Sequence, residues 1–136
     1  MNKDNHLAIV VGVIVQLLFS FLWYSPQLFL HPWWAAFNRL GPIPEPTPGP
    51  FVIAIVSSLV SCYVLSLLVR ETRSNTAAWG ALLGFLLGIG IASTALLSSY
   101  AFAHIGRQAM WIDAAHSIIS LAIVGAILGG WPKKRR

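Results

Sequence analysis

Two side chains in this sequence could do chemistry where chemistry is costly. Asp113 is the one acidic residue inside a long apolar block, and His116 follows three residues later. Residues three apart are neighbours on a helix, so both lie on one face. An ionisable group within a bilayer is expensive to place and marks a site by default. Three chemistries suit the pair. It could cap the outer end of a helical bundle, with Tyr100 or Gln108 as further partners. It could couple a proton to a small cation or a lipid-like ligand. It could ligate a metal or haem, since Asp-x-x-His resembles half of a di-iron motif. That motif has no second copy here, no Glu on another helix completes it, and His31 and His104 share the outer side while His6 falls on the opposite one. The candidate ligand or proton site is therefore Asp113, His116, Tyr100, Tyr24 and His104, with no metal and no cofactor expected. No nucleophile–base spacing, phosphate loop or Cys/His cluster is present, so the chain reads as non-enzymatic. The single cysteine, Cys62, cannot form an internal disulfide.

The elements that must position these residues follow from composition. At 57% hydrophobic and 10% charged over 136 residues, the chain has too little polar surface to cover a soluble core. The apolar residues are bunched into blocks, where an amphipathic fold would space them. Four blocks reach the length of about 20 residues that a crossing needs: 7–24, 51–69, 76–102 and 111–131. The expected fold is all-α, an integral membrane four-helix bundle in one domain. The first block ends in the bulky Trp23-Tyr24-Ser25-Pro26 and lacks a small-residue cleavage pattern, so it reads as a retained helix. The aromatic stretch that follows, with Phe29, Trp33, Trp34 and Phe37, predicts a short interfacial helix from Pro32 to Leu40. Proline at every second position from Pro42 to Pro50 predicts an extended polyproline strut over 41–50. At about 3.1 Å per residue it would reach roughly 30 Å.

Charge sets the orientation. Lys3, Arg70, Arg73, Lys133, Lys134, Arg135 and Arg136 fall on the side of the chain ends, and only Arg39 and Arg107 on the other. That asymmetry puts both termini in the cytoplasm of a multi-pass inner-membrane protein. Trp23, Trp33, Trp34 and Trp111 then anchor the outer interface, and Trp79, Trp131 and the run Lys133–Arg136 the inner one. The net charge of +5 sits at the block ends, so the expected partner is the lipid bilayer and its anionic headgroups, with no nucleic acid.

In lipid, helices associate through small residues and interhelical hydrogen bonds. The first helix carries Ala8, Gly12, Gln16 and Ser20 at i, i+4 spacing, and the second carries Ala54, Ser58, Cys62 and Ser66. The third carries Gly80, Gly84, Gly88 and Ala92, a double GxxxG ladder that could serve packing within the chain or homodimerisation. The fourth offers Ser117 and Ser120, then Gly125 and Gly129. Gln16 sits near mid-membrane and should bond to Ser58 or Cys62.

Trp23-Tyr24-Ser25-Pro26, with Leu28-Phe29 and the tryptophans at 33 and 34, resembles a small bacterial membrane family, the domain of unknown function 1761. The second half is similar to that family as well, through Ser98-Ser99-Tyr100-Ala101-Phe102, Trp111-Ile112-Asp113-Ala114-Ala115-His116 and Gly125 to Trp131. The proline strut looks like a departure, and Ser99 stands where the family often has Asn. The resemblance implies a four-helix membrane protein and no particular activity. The leading expectation for function is an interaction protein, an accessory subunit of a larger membrane complex or a small homo-oligomer. A small transporter or lipid-binding carrier using Asp113 and His116 is the first alternative, and a haem- or metal-binding redox protein the second.

Overall fold

A computed structural model of the chain describes residues 4–37 and 42–131. Five helices make up the described residues, and no strand occurs among them. They are α1 (Asp4–Trp23), α2 (Leu30–Ala36), α3 (Pro48–Glu71), α4 (Ala77–Phe102) and α5 (Arg107–Gly130). All but α2 are long and apolar enough to cross a membrane, the make-up of a multi-pass membrane protein. Lys3, Arg39 and the run from Lys133 to Arg136 lie outside the described residues, so the structure does not bear on those anchors.

The helix starts differ from the expected ones, and proline chemistry explains two of the differences. α3 begins at Pro48, three residues early, with the extended Thr47 (φ −105, ψ 155) before it. The first N–H groups of a helix have no acceptor within it, so a residue without an N–H loses nothing there, and its fixed φ already suits the helix. Pro48 and Pro50 both fall in that first turn. The strut expected over 41–50 is thereby reduced, among described residues, to 42–47. By the same logic Pro32 is the third residue of α2, which runs Leu30–Ala36 and turns at Phe37, two residues ahead of the predicted start. α5 starts at Arg107, so Asp113 lies six residues inside it. At about 1.5 Å per residue that is roughly 9 Å from the helix start, deeper than the sequence suggested.

α5 is the hub, packing against each of the other four helices. Its half toward Gly130 meets α4 backbone to backbone. A Cβ added at Gly80 would fall on the carbonyl oxygen of Gly125, one at Gly84 on that of Leu121, and one at Gly88 2.7 Å from the Ile118 Cα. The GxxxG ladder is therefore occupied within the chain. Gly12 differs: a Cβ there would make ordinary contacts, 3.5 Å from Cys62 Sγ and from Val124. An apolar core of Ala8, Ile9, Val13, Cys62, Leu65, Val69, Val124 and Leu128 fills the end of the bundle that carries the termini. Trp131 packs against this core, whereas Trp79 and Trp111 are mostly exposed. Ser58 and Ser66 are buried on the same side of α3, and the Cys62 thiol donates to Gln16 Oε1 at 3.4 Å.

α4 is not uniform. It is α-helical over Ala77–Leu87 and Thr94–Phe102, and π-helical over Gly88–Ser93. The seam pairs Gly84 with Leu121 and Gly88 with Ile118, then Ser93 with Ala114, whose carbonyl accepts from Ser93 Oγ at 3.3 Å. Along α4 the residue that faces α5 recurs every fourth position from Gly80 to Gly88, and then at the fifth, Ser93. The ladder predicted to continue to Ala92 therefore continues to Ser93, which is 3% exposed. A π turn holds one residue more than an α turn, and that extra residue is the offset.

Candidate functional site

The site lies at the end of the bundle away from the termini, and its geometry starts with a hairpin of backbone. After Trp23 the chain turns through Tyr24 to Phe29, with the Phe29 N–H on the Trp23 carbonyl at 3.2 Å and the Leu30 N–H on that of Ser25 at 3.3 Å. This turn aims Tyr24 and α2 back over α5. A second loop docks on the same spot: the Gly106 N–H donates to the Ala36 carbonyl at 2.9 Å, and a Cβ at Gly106 would lie 2.7 Å from that oxygen. Only glycine lets the two backbones come so close.

Under this cover sits Asp113, 5% exposed. Three donors from three elements converge on its carboxylate. The Tyr24 hydroxyl donates to Oδ1, while the Trp33 indole N–H at 2.9 Å and the Tyr100 hydroxyl at 2.7 Å both donate to Oδ2. Among the described residues the one ion pair is Arg70–Glu71, near the far end of the bundle. The desolvation of a buried carboxylate is thus offset here by neutral donors. Each such bond to a charged acceptor contributes about 1.5–3 kcal/mol. Trp33 can only donate, so at that oxygen Asp113 acts as an acceptor.

His116 does not touch Asp113, and the two do not form the expected pair. Its Nε2 lies 2.9 Å from Ser20 Oγ, and that hydroxyl also donates to the Gln16 carbonyl at 2.9 Å. A hydroxyl carries one hydrogen, so Nε2 donates to Ser20 in the tautomer in which that hydrogen stays on the Gln16 carbonyl. The ring stacks on Phe19 at 5.4 Å and lies against Tyr24 at 5.2 Å. Tyr24 is therefore the bridge between the two ionisable residues. Its ring packs on one, and its hydroxyl bonds the other.

Aromatic rings fill the rest of the site. Tyr24 meets Trp33 edge-on at 5.5 Å, Trp33 packs on Phe37 at 4.7 Å, and Phe37 meets Tyr100 at 5.8 Å. Trp23 lies 4.6 Å from Phe29 and donates its indole N–H to the Ile112 carbonyl at 3.2 Å. Trp23 and Trp33, expected as interface anchors, thus turn inward and hold α5. His31 and His104 are exposed and apart from the cluster, and His104 has a left-handed backbone (φ 55). The residues brought together are Tyr24, Trp33, Tyr100, Asp113 and, through Tyr24, His116. The sequence did contain a signal for Trp33. With few basic residues on the outer side, a buried acid there must draw its donors from phenols and indoles. No group of three or more His, Cys, Asp or Glu side chains that could hold a metal occurs among the described residues. An apolar groove between α1 and α3, lined by His6, Ile9, Val10, Leu59, Val60 and Tyr63, lies toward the opposite end.

A family model described as a protein of unknown function, DUF1761, matches residues 7–129, a range that holds every member of this cluster. No curated protein and no solved structure was found to match.

Proposed function

Because the chain belongs to the DUF1761 family, whose description gives no activity, the functional reading must come from the site, and we propose a non-enzymatic membrane protein that acts by interaction. It serves as an accessory subunit of a membrane complex or assembles with copies of itself. The observation that supports this most is the way Asp113 is held. Both carboxylate oxygens are engaged by three donors from three elements, in a packed aromatic setting. Three separate elements are tied to α5 through this one side chain, so the carboxylate is built as a clasp.

A surface suited to such assembly is the first part of α3. Residues 48–57 are exposed all round, close to three turns of helix, with Phe51 against Phe21 as their one ring contact. A helix segment so thinly packed in its own chain offers room for a second helix. The charge asymmetry supports an inner-membrane location with cytoplasmic ends. Purification in mild detergent tests the proposal: a stoichiometric partner or stable homo-oligomer is expected, and a lone monomer at all detergent-to-protein ratios overturns it. If Asp113 and His116 instead serve a carrier, Asp113→Asn and His116→Ala will abolish flux in proteoliposomes while leaving the protein folded.

A further inference from the structure

The π turn Gly88–Ser93 decides which residue of α4 reaches Asp113. Toward the termini, Gly80, Gly84 and Gly88 face α5 at regular α spacing. Continued at that spacing, the face would pass through Ala92 to Ser99. The extra residue of the π turn moves it to Ser93 and Tyr100 instead, and Tyr100 is the group that donates to Asp113. An α-helix turns about 100° per residue, so the two registers present different side chains to the same spot.

The geometry points to a register switch in α4: the π form sets Tyr100 on Asp113, and the all-α form withdraws Tyr100 and sets Ser99 in its place. This inference goes beyond the interaction role and does not depend on it. Four observations carry it. The competing α register needs no new side-chain volume at the seam, since Ala92 is smaller than the Ser93 it would replace. The π turn contains Gly88 and Gly90, and glycine is the weakest ordinary helix former, so local propensity holds the segment loosely. A Cβ at Gly90 would meet nothing within 4 Å, so neighbours do not fix it either. What holds the π form is two hydroxyl bonds across the seam, Ser93 Oγ to the Ala114 carbonyl and Tyr100 to Asp113. In the all-α form the Asp113 carboxylate keeps Tyr24 and Trp33 and loses its third donor.

Disulfide trapping in membranes, in a Cys62→Ser background, reads the two registers separately. Ser93→Cys with Ala114→Cys reports the π form, and Ala92→Cys with Ala114→Cys reports the α form. Both pairs are expected to cross-link, each in part of the population. Deleting Gly90 brings Ser93 four residues from Gly88 and removes the need for a π turn. That deletion should abolish the 92–114 product, retain the 93–114 product and leave unfolding resistance at or above wild type. Tyr100→Phe, which removes only the hydroxyl that bonds Asp113, should raise the 92–114 product about threefold or more, the shift that loss of one ordinary hydrogen bond gives. A 93–114 product alone, with no 92–114 product in the Tyr100→Phe chain either, overturns the switch. So does a 92–114 product that survives the Gly90 deletion, and failure of the 93–114 pair overturns the register itself.

Discussion

The two ends of this bundle are held by opposite means, although α5 runs through both. Toward the termini, α4 and α5 meet where side chains are missing: Gly80, Gly84, Gly125 and Gly129 bring backbone against backbone. At the other end the same helix is held by large side chains, two phenols and an indole bonded to Asp113. In lipid there is no hydrophobic force between helices, so association needs close van der Waals approach or interhelical hydrogen bonds. This chain assigns one mechanism to each end. The lesson is that the glycine seam has no room for added atoms, whereas the aromatic clasp depends on the atoms already there.

That contrast can be broken from either side. Denaturant titration in detergent is the common measurement. The largest effect is expected for Asp113→Leu, which leaves three donors without an acceptor. At about 1–3 kcal/mol per orphaned group, the loss should exceed about 3 kcal/mol. If Asp113→Leu unfolds like wild type, the clasp contributes nothing and the contrast fails. Next comes Gly84→Ala, one methyl group against the Leu121 carbonyl, expected to cost about 1–3 kcal/mol. Trp33→Phe keeps the ring and removes the indole N–H, and a loss of about 1.5 kcal/mol is expected. Gly12→Ala gives the smallest effect and the opposite sign. Its Cβ has ordinary room, so reduced freedom of the unfolded chain should stabilise by about 0.4–1 kcal/mol. A destabilised Gly12→Ala protein would show that the α1 contact is as tight as the α4–α5 seam.

Much of this was legible in the sequence, for physical reasons that differ by element. The four long helices follow from block length, because a crossing of fixed thickness needs about 20 apolar residues whatever the packing. The Cys62–Gln16 bond was foreseeable, since an amide near mid-membrane must find a partner among the few polar groups at its depth. The end of the bundle that holds the site was also foreseeable, because Asp113 and the aromatic stretch fall on one side. Three things were hidden. The prolines at 48 and 50 read as strut, but a helix start accepts them equally well, and only packing chooses. The π turn has no local signature, because Gly88 to Ser93 reads as ordinary helix until the seam with α5 counts its residues. The partner of His116 was missed because spacing along α5 says nothing about Ser20 on α1.

The position of Asp113 in the chain has a consequence for biogenesis. Tyr24, Trp33 and Tyr100 all precede it, and it lies on the last of the four long helices. A chain emerging from the ribosome in sequence order presents its N-terminal segments first. Every donor of the clasp is therefore synthesised before the one group that satisfies them. Until α5 arrives, the turn after α1, then α2 and α4, carry hydroxyls and an indole N–H aimed at an acceptor that does not yet exist. Insertion of α5 closes three bonds at once, so the last helix both completes the molecule and certifies that the earlier segments are in place.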